Sequence, residues 1–273
     1  MAYTIAAIGV GNMAKAIISG IMNSSMNIDK IVLFDKNEEQ YSTLASNKKI
    51  KIQKTQNISD AVKSADTVLL SVKPQNFPEV LSEIALIDGH TEKLYISIAA
   101  GITAQSVSQA LGGANVIRVL PNLPMVIGKG VSVICLNNSI SNDKFEFVCD
   151  IFRSSGNIVL IDERDMNSMI GVTSSSPAYV FKFINAIYEG ALAQGLSDNK
   201  DLLDAICDVV IGSAQLLKNS NETPKELISR VASKGGTTER ALSELNAKNF
   251  DLAIADAMRA CTQRADELGN AKK

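Results

Sequence analysis

Two glycine-bearing segments and one carboxylate carry most of the chemistry legible in this sequence. Gly9-Val10-Gly11-Asn12-Met13-Ala14 follows a short apolar run, Tyr3 to Gly9. It opens a stretch in which Met13, Ala16, Ile17, Gly20 and Ile21 recur at helical spacing. In that setting Gly9 permits a tight turn, Gly11 lets backbone approach a pyrophosphate, and Ala14 lets the helix pack close to a sheet. The helix N-terminus then offers N–H groups and the positive end of its dipole to phosphates. The segment reads as a dinucleotide site formed by Gly9, Val10, Gly11, Asn12 and Met13. Asp35 closes the next expected strand, where a carboxylate binds adenosine ribose hydroxyls and favours NAD. Lys36 beside it instead offers charge to a 2′-phosphate, so NADH and NADPH both stand as cofactors at this point.

Further candidates fall where expected strands end, the edge at which ligands of open α/β sheets sit. Ser71-Val72-Lys73-Pro74 follows one strand, and Lys73 is either a phosphate or ribose contact or a solvated loop lysine. Ala99 and Ala100, before Gly101, are small enough to leave room for a nicotinamide ring. Asn122, held between Pro121 and Pro124, offers an amide that orients substrate or carboxamide, or else a plain turn. Asn57 completes the expected cofactor contacts.

Ser233-Lys234-Gly235-Gly236-Thr237-Thr238 lies between two expected helices. The glycines allow close approach of backbone to a ligand, Thr237 or Thr238 can cap the following helix, and free N–H groups there would bind a carboxylate. A capped interhelical turn explains the glycines alone. The hydroxyls of Ser233, Thr237 and Thr238 exceed what capping requires. Thr173-Ser174-Ser175-Ser176-Pro177 is a second hydroxyl-rich segment, with proline suited to the first turn of a helix.

The elements that must position these residues change character along the chain. Strands are expected at Tyr3 to Gly9, Ile31 to Asp35, Ile50 to Gln53, Thr67 to Val72, Leu94 to Ile98, Val116 to Leu120, Val131 to Leu136 and Asn157 to Ile161. Helices are expected at Asn12 to Met22, Glu38 to Ser46, Ser59 to Lys63 and Phe77 to Ile84. Repeated β-α-β units imply a Rossmann-like, doubly wound parallel sheet over residues 1–163. Residues 164–273 read as all α: Asn167 to Gln194, Lys200 to Asn219, Pro224 to Val231, Thr237 to Ala247 and Phe250 to Leu268. Pro177 should kink or divide the first of these helices. Its apolar residues cover more than one face, so it must be deeply buried or shared with another subunit. The α/β class with a helical second domain, in a homo-oligomer, is the expected architecture.

The composition excludes several alternatives. With 27 Lys and Arg against 29 Asp and Glu in 273 residues, net charge is −2, and no basic face speaks for nucleic acid or an acidic membrane. The longest uncharged stretch, Leu94 to Ile117 apart from its polar interruptions, is no membrane span. No signal peptide is visible and the cysteines at 135, 149, 207 and 261 form no C-x-x-C pair, so reduced thiols, no metal and a cytoplasmic location are expected. The lone histidine, His90, sits in a turn-like segment, exposed by default, which leaves triad hydrolysis without a base.

The chain resembles the pyrroline-5-carboxylate reductases through GVGNMAKAI, SVKP, SIAAG, RVLPNLP, GVTSSSPAYVF and SKGGTTERAL, which run in order over nearly its whole length. It departs from the family's usual residues at Lys234, commonly proline, at Leu123, commonly threonine, and in Thr173 to Ser176. The resemblance implies reduction of a cyclic imine carboxylate to L-proline, the last step of proline synthesis, by hydride from C4 of a nicotinamide. It implies a substrate site at Ser175, Ser233, Gly235, Gly236, Thr237 and Thr238, with the carboxylate on backbone N–H groups of that last loop. Thr238 would bond the ring nitrogen and is the expected catalytic residue, orienting the imine and at most relaying a proton through water. It also implies dimers, or a ring of dimers, interlocked through the helical domain, with both chains contributing to the site. Other imine or β-hydroxyacid reductases share the two-domain plan, but those acting on hydroxyacids use a lysine in the interdomain helix. Here the only lysine is Lys182, between Phe181 and Phe183. A nucleotide sensor without activity would not need the GGTT loop.

Overall fold

Successive residues of β1 (Tyr3–Ile8) are buried in two different clusters, Ile5 and Ala7 on one side of the sheet, Ala6 and Ile8 on the other. That alternation is what a strand covered on both faces requires. The computed structural model describes residues 3–41, 49–137 and 139–270. After β1 come α1 (Asn12–Met22), β2 (Ile28–Phe34), β3 (Lys51–Lys54), α2 (Ile58–Lys63), β4 (Thr67–Leu70), α3 (Phe77–Ala85) and β5 (Leu94–Ser97). Then follow α4 (Ala104–Ala110), β6 (Asn115–Leu120), β7 (Gly130–Cys135), α5 (Asn142–Arg153), β8 (Gly156–Ile161) and α6 (Met166–Met169). The strands order as β3-β2-β1-β4-β5-β6-β7-β8 among the described residues. The order reverses between β1 and β4, and that switch point opens a crevice at their carboxyl ends.

Helix α1 buries Ala14, Ile17, Ile18 and Ile21, a stripe at helical spacing, in the same cluster as Phe147, Val148, Ile151 and Phe152 of α5. On the opposite face Phe77, Val80, Leu81 and Ile84 of α3 join Val107 and Leu111 around Val68, Leu70 and Tyr95. Each such aliphatic or aromatic side chain contributes about 1.5–3 kcal/mol by leaving water.

The sheet is not wholly parallel. β7 runs antiparallel to β6, with Val119 opposite Ile134 and Leu120 opposite Val133, while β8 is parallel to β7. The connection between β6 and β7 is the short 3-10 turn Leu123–Ile127 and its flanks, too little chain for a parallel crossover of a dozen or more residues. Helices α4 and α5 add to those expected. Of the helix expected at Glu38 to Ser46, Glu38–Tyr41 is a 3-10 turn and residues 42–46 lie outside the described ones.

The chain separates into two compact units, residues 1–175 with 259–273, and 176–258. The first unit thus runs past residue 163 and regains the end of the last helix, α11 (Phe250–Asn270), after α7 (Ser176–Ala193), α8 (Lys200–Asn219), α9 (Pro224–Val231) and α10 (Thr237–Ala247). In the first unit Ala265 of α11 is buried with Leu120, Val133, Cys135, Met166 and Ile170. A polar chain lies beside them. Arg118, 1% exposed, has Nη1 3.6 Å from the Glu163 carboxylate and donates from Nη2 to Asn167 Oδ1 at 2.6 Å. Asn167 Nδ2 donates in turn to Asp266 Oδ1 at 2.6 Å, and Glu163 accepts the Ala104 N–H at 2.7 Å. Burial lowers the Arg118 pKa and Glu163 opposes the fall.

The long helix expected from Asn167 to Gln194 is interrupted earlier than Pro177. α6 ends at Met169, a π-helical turn occupies Ile170–Ser174, and α7 begins at Ser176. Proline is tolerated there because a first-turn residue has no intrahelical partner for its N–H. In the second unit, α9 starts with a capping box: Thr223 Oγ1 accepts the Glu226 N–H at 3.3 Å and the Thr223 N–H donates to Glu226 Oε2 at 2.6 Å. α7 buries no residue within the single chain, leaving Val180, Phe181, Phe183 and Ile187 exposed. Val209 and Ile211 of α8 are about two-thirds exposed. An apolar surface this extensive belongs to a protein–protein contact rather than to water. No helix of the described residues is long and apolar enough to cross a membrane.

Candidate active site

At the switch point Gly9 leaves β1 with φ +90°, and a Cβ there would stand 2.9 Å from the backbone carbon and oxygen of Ser71 and the nitrogen of Val72. Only glycine fits that approach. Ser71 Oγ reinforces it by donating to the Gly9 carbonyl at 2.5 Å and lies 3.2 Å from that of Ile8. Gly11, by contrast, has nothing within 4 Å of its Cβ position. It is the N-cap of α1, no side chain caps that helix, and its first turn holds no acidic residue. Gly9 and Gly11 line a cleft of about 390 Å³ with Asp35, Lys36, Ser71 and Lys73. Tight packing beneath Gly9, open space over Gly11 and an uncapped helix N-terminus together fit the diphosphate of a dinucleotide.

Asp35 follows β2 at the rim of that cleft. Its Oδ2 accepts the Val10 N–H at 2.6 Å and its Oδ1 the Asn37 N–H at 2.9 Å. Tyr41 Oη accepts the Asp35 N–H at 2.6 Å. Lys36 Nζ lies 2.8 Å from Glu79 Oε1 of α3, and the bond raises the lysine pKa. Neither Glu79 nor Tyr41 was marked by sequence pattern: Glu79 reaches Lys36 from α3, and Tyr41 folds back on Asp35 through the 3-10 turn Glu38–Tyr41.

Other expected residues have visible structural work. Asn57 caps α2, its Oδ1 accepting the Asp60 N–H at 2.8 Å. Ala99 is buried in the core face shared with α3 and α4, and a Cβ on Gly101 would strike the Ala265 carbonyl, so part of the space beside these small residues is filled by α11. Asn122 is buried, and both ends of its amide are engaged: Oδ1 accepts the Val131 N–H at 2.9 Å and Nδ2 donates to the Thr173 carbonyl at 3.0 Å. The amide ties the β6–β7 turn to the π-helical turn. Ser175 closes that turn by donating its N–H to Ile170 at 2.8 Å, and its Oγ lies 3.1 Å from Cys261 Sγ. Ser174 Oγ is buried without a hydrogen-bond partner. His90 is half-buried, not exposed, with Nδ1 2.7 Å from the Ile87 carbonyl.

In the second unit, Gly235 takes φ +74° and Gly236 is the N-cap of α10. Neither Thr237 nor Thr238 caps that helix; no side chain does. A Cβ on Gly236 would lie 2.6 Å from Ser233 Oγ, the Gly236 N–H donates to the Ser233 carbonyl at 3.0 Å, and the Gly235 N–H is taken by Glu239 Oε2 at 2.7 Å. Thr237 is exposed and Thr238 half-exposed at the open end of α10. A helix N-terminus lined with hydroxyls and lacking its own cap can take a carboxylate.

Residues 163–268 match the family described as pyrroline-5-carboxylate reductase dimerisation, and residues 4–101 match NADP oxidoreductase coenzyme F420-dependent. The pyrroline-5-carboxylate reductase of Corynebacterium melassecola is 34% identical over 271 residues, covering 97% of this chain and 98% of that protein. That of Escherichia coli is 32% identical, with 96% of each chain covered. Among solved structures, the Plasmodium falciparum pyrroline carboxylate reductase with NADP bound superposes with a TM-score of 0.86 at 25% identity, covering 98% of both chains. The Streptococcus pyogenes 1-pyrroline-5-carboxylate reductase has the same TM-score of 0.86 at 27% identity, covering 97% of this chain and 99% of that one. With both halves and nearly the full length matched, the chain belongs to the pyrroline-5-carboxylate reductase family.

Proposed function

We propose that this chain reduces 1-pyrroline-5-carboxylate to L-proline with NADH or NADPH as hydride donor. The observation that carries the reading is the GGTT turn, an uncapped helix N-terminus with spare hydroxyls in a chain whose other unit holds a dinucleotide cradle. Gly9, Val10, Gly11, Asn12 and Met13 hold the diphosphate, Asp35 and Lys36 face the adenosine ribose, and Ser71, Val72, Lys73 and Pro74 form the opposite rim. Ala99 and Ala100 border the nicotinamide end, and Asn57 and Asn122 act by fixing the loops around it. A reduced nicotinamide bound there supplies the hydride.

Backbone N–H groups of Thr237 and Thr238 donate to the substrate carboxylate on the Gly235-Gly236 turn, and Ser175, Ser233 and Thr237 add hydroxyl contacts. Thr238 bonds the ring nitrogen and turns the imine carbon toward the donor. The protonated imine is electrophilic already, so its carbon gains hydride, its nitrogen keeps the proton, and no strong acid is required of the chain. Holding the reactants in register supplies most of the acceleration.

Residues 1–163 serve as the dinucleotide domain and 164–273 as the substrate and dimerisation domain, acting in the cytoplasm. The match to a dimerisation family and the bare apolar helices α7 and α8 support association of identical chains. The test is purified protein with 1-pyrroline-5-carboxylate, following oxidation of each cofactor and identifying the product. Proline formation is expected; cofactor binding without oxidation would overturn the reading.

A further inference from the structure

The charged groups around the ribose end of the cleft point to one of the two cofactors. Asp35 is held by two backbone N–H groups, from Val10 at 2.6 Å and Asn37 at 2.9 Å, one on each carboxylate oxygen. It cannot swing away without releasing the second residue of the glycine loop. Each oxygen keeps a second lone pair, so the carboxylate can still accept ribose hydroxyls. A phosphate in their place would bring two further negative charges to a carboxylate fixed in position. Like charges so placed weaken a complex, and that repulsion is what excludes wrong partners.

Among the described residues, the cations nearby do not offset this. Lys36, adjacent in sequence, is paired with Glu79 at 2.8 Å, and Glu83 adds a further negative field. Lys15 lies 3.0 Å from Gln40 Oε1, which lines the same cleft, and Lys54 Nζ stands over the Tyr41 ring, 5.0 Å from its centroid. Lys73 is exposed at the cleft, but it stands on the loop after β4, across from Asp35. Among the described residues, the ribose end of the cleft thus has a pinned carboxylate and a lysine drawn to a carboxylate on α3.

We infer that Asp35, with Glu79 holding Lys36, makes this protein an NADH-selective reductase that discriminates against the 2′-phosphate of NADPH. The inference rests on the reductase reading above and is tested separately from it, by binding. The experiment titrates the intact protein with NADH and with NADPH, following nicotinamide fluorescence in the absence of substrate. NADH is expected to bind at least about tenfold more tightly. Asp35→Asn keeps an acceptor for the Val10 N–H and removes the charge, so NADPH affinity should rise and the ratio fall at least about fivefold. Glu79→Gln frees Lys36 and should improve NADPH binding relative to NADH. Lys73→Gln should weaken both cofactors alike.

NADPH binding as tightly as NADH, or more tightly, in the unaltered protein would overturn the inference. So would an unchanged ratio in both Asp35→Asn and Glu79→Gln, and Glu79→Gln decides the matter if Asp35→Asn does not fold. Failure of both cofactors to bind the unaltered protein would instead overturn the reductase reading itself.

Discussion

Gly9 and Ser71 meet backbone to backbone, so that a single added carbon on Gly9 would lie 2.9 Å from the Ser71 carbonyl carbon. The contact joins the ends of β1 and β4, the two strands between which the sheet changes direction. The fold's most constrained turn and its ligand cleft are therefore the same piece of chain.

Gly9→Ala should destabilise as well as disarm. A non-glycine residue at φ +90° costs about 1–3 kcal/mol, and the clash with Ser71 adds to it. Thermal unfolding should fall by several degrees, with cofactor binding lost. Gly11→Ala is the contrast, since its φ of −73° is ordinary and no atom crowds its Cβ position. Melting should stay unchanged while cofactor affinity drops, because the new methyl occupies ligand space. Equal melting shifts for the two variants would contradict this account.

Thr238→Ala should leave folding and cofactor binding intact, since the side chain is half-exposed and caps nothing. A hydrogen bond to a charged group contributes about 1.5–3 kcal/mol, so kcat/KM should fall about 10- to 100-fold. Unaltered kinetics would remove Thr238 from the catalytic role.

Glu163→Ala should be costly out of proportion to its partial exposure. It strips the buried Arg118 guanidinium of its nearest carboxylate and the Ala104 N–H of its acceptor. Removing one partner of such a pair costs about 3–5 kcal/mol. Glu163→Gln, which can still accept from Ala104, should cost less. Urea unfolding midpoints of the two variants give the order.

Burial pushes the Cys135 and Cys149 thiols up to about 11 from an ordinary value of 9.0. At pH 8 both should resist iodoacetamide in the native protein and react on denaturation. The folded state holds these protons more tightly than the unfolded chain, so stability should fall as pH rises from about 9 toward 11. Native labelling at either position at pH 8 would contradict the burial.

The sequence showed the glycine turn and the strands plainly, because backbone constraint and two-sided burial leave compositional marks at Gly9, Thr67–Leu70 and Leu94–Ser97. The reversal of β7 was hidden, for direction depends on connection length rather than on pattern. So was α5, where Phe147, Val148, Ile151 and Phe152 keep helical spacing amid charged neighbours. At the site, Asp35 was legible and its bond to Val10 was not. Asn122 stood out because its flanking prolines stiffen it; its amide's bridge between Val131 and Thr173 did not. Pairings such as Lys36 with Glu79 depend on where the loop after β2 meets α3, and no local pattern encodes that.

The last turns of α11 belong to the unit that β1 begins. A ribosome making this chain therefore releases all eight described strands long before the segment that covers Met166 and Ile170 and accepts from Asn167. Until residues 259–270 emerge, the nascent unit carries an uncovered apolar cluster around Met166 and Ile170, and translation sets the earliest moment at which that cluster can close.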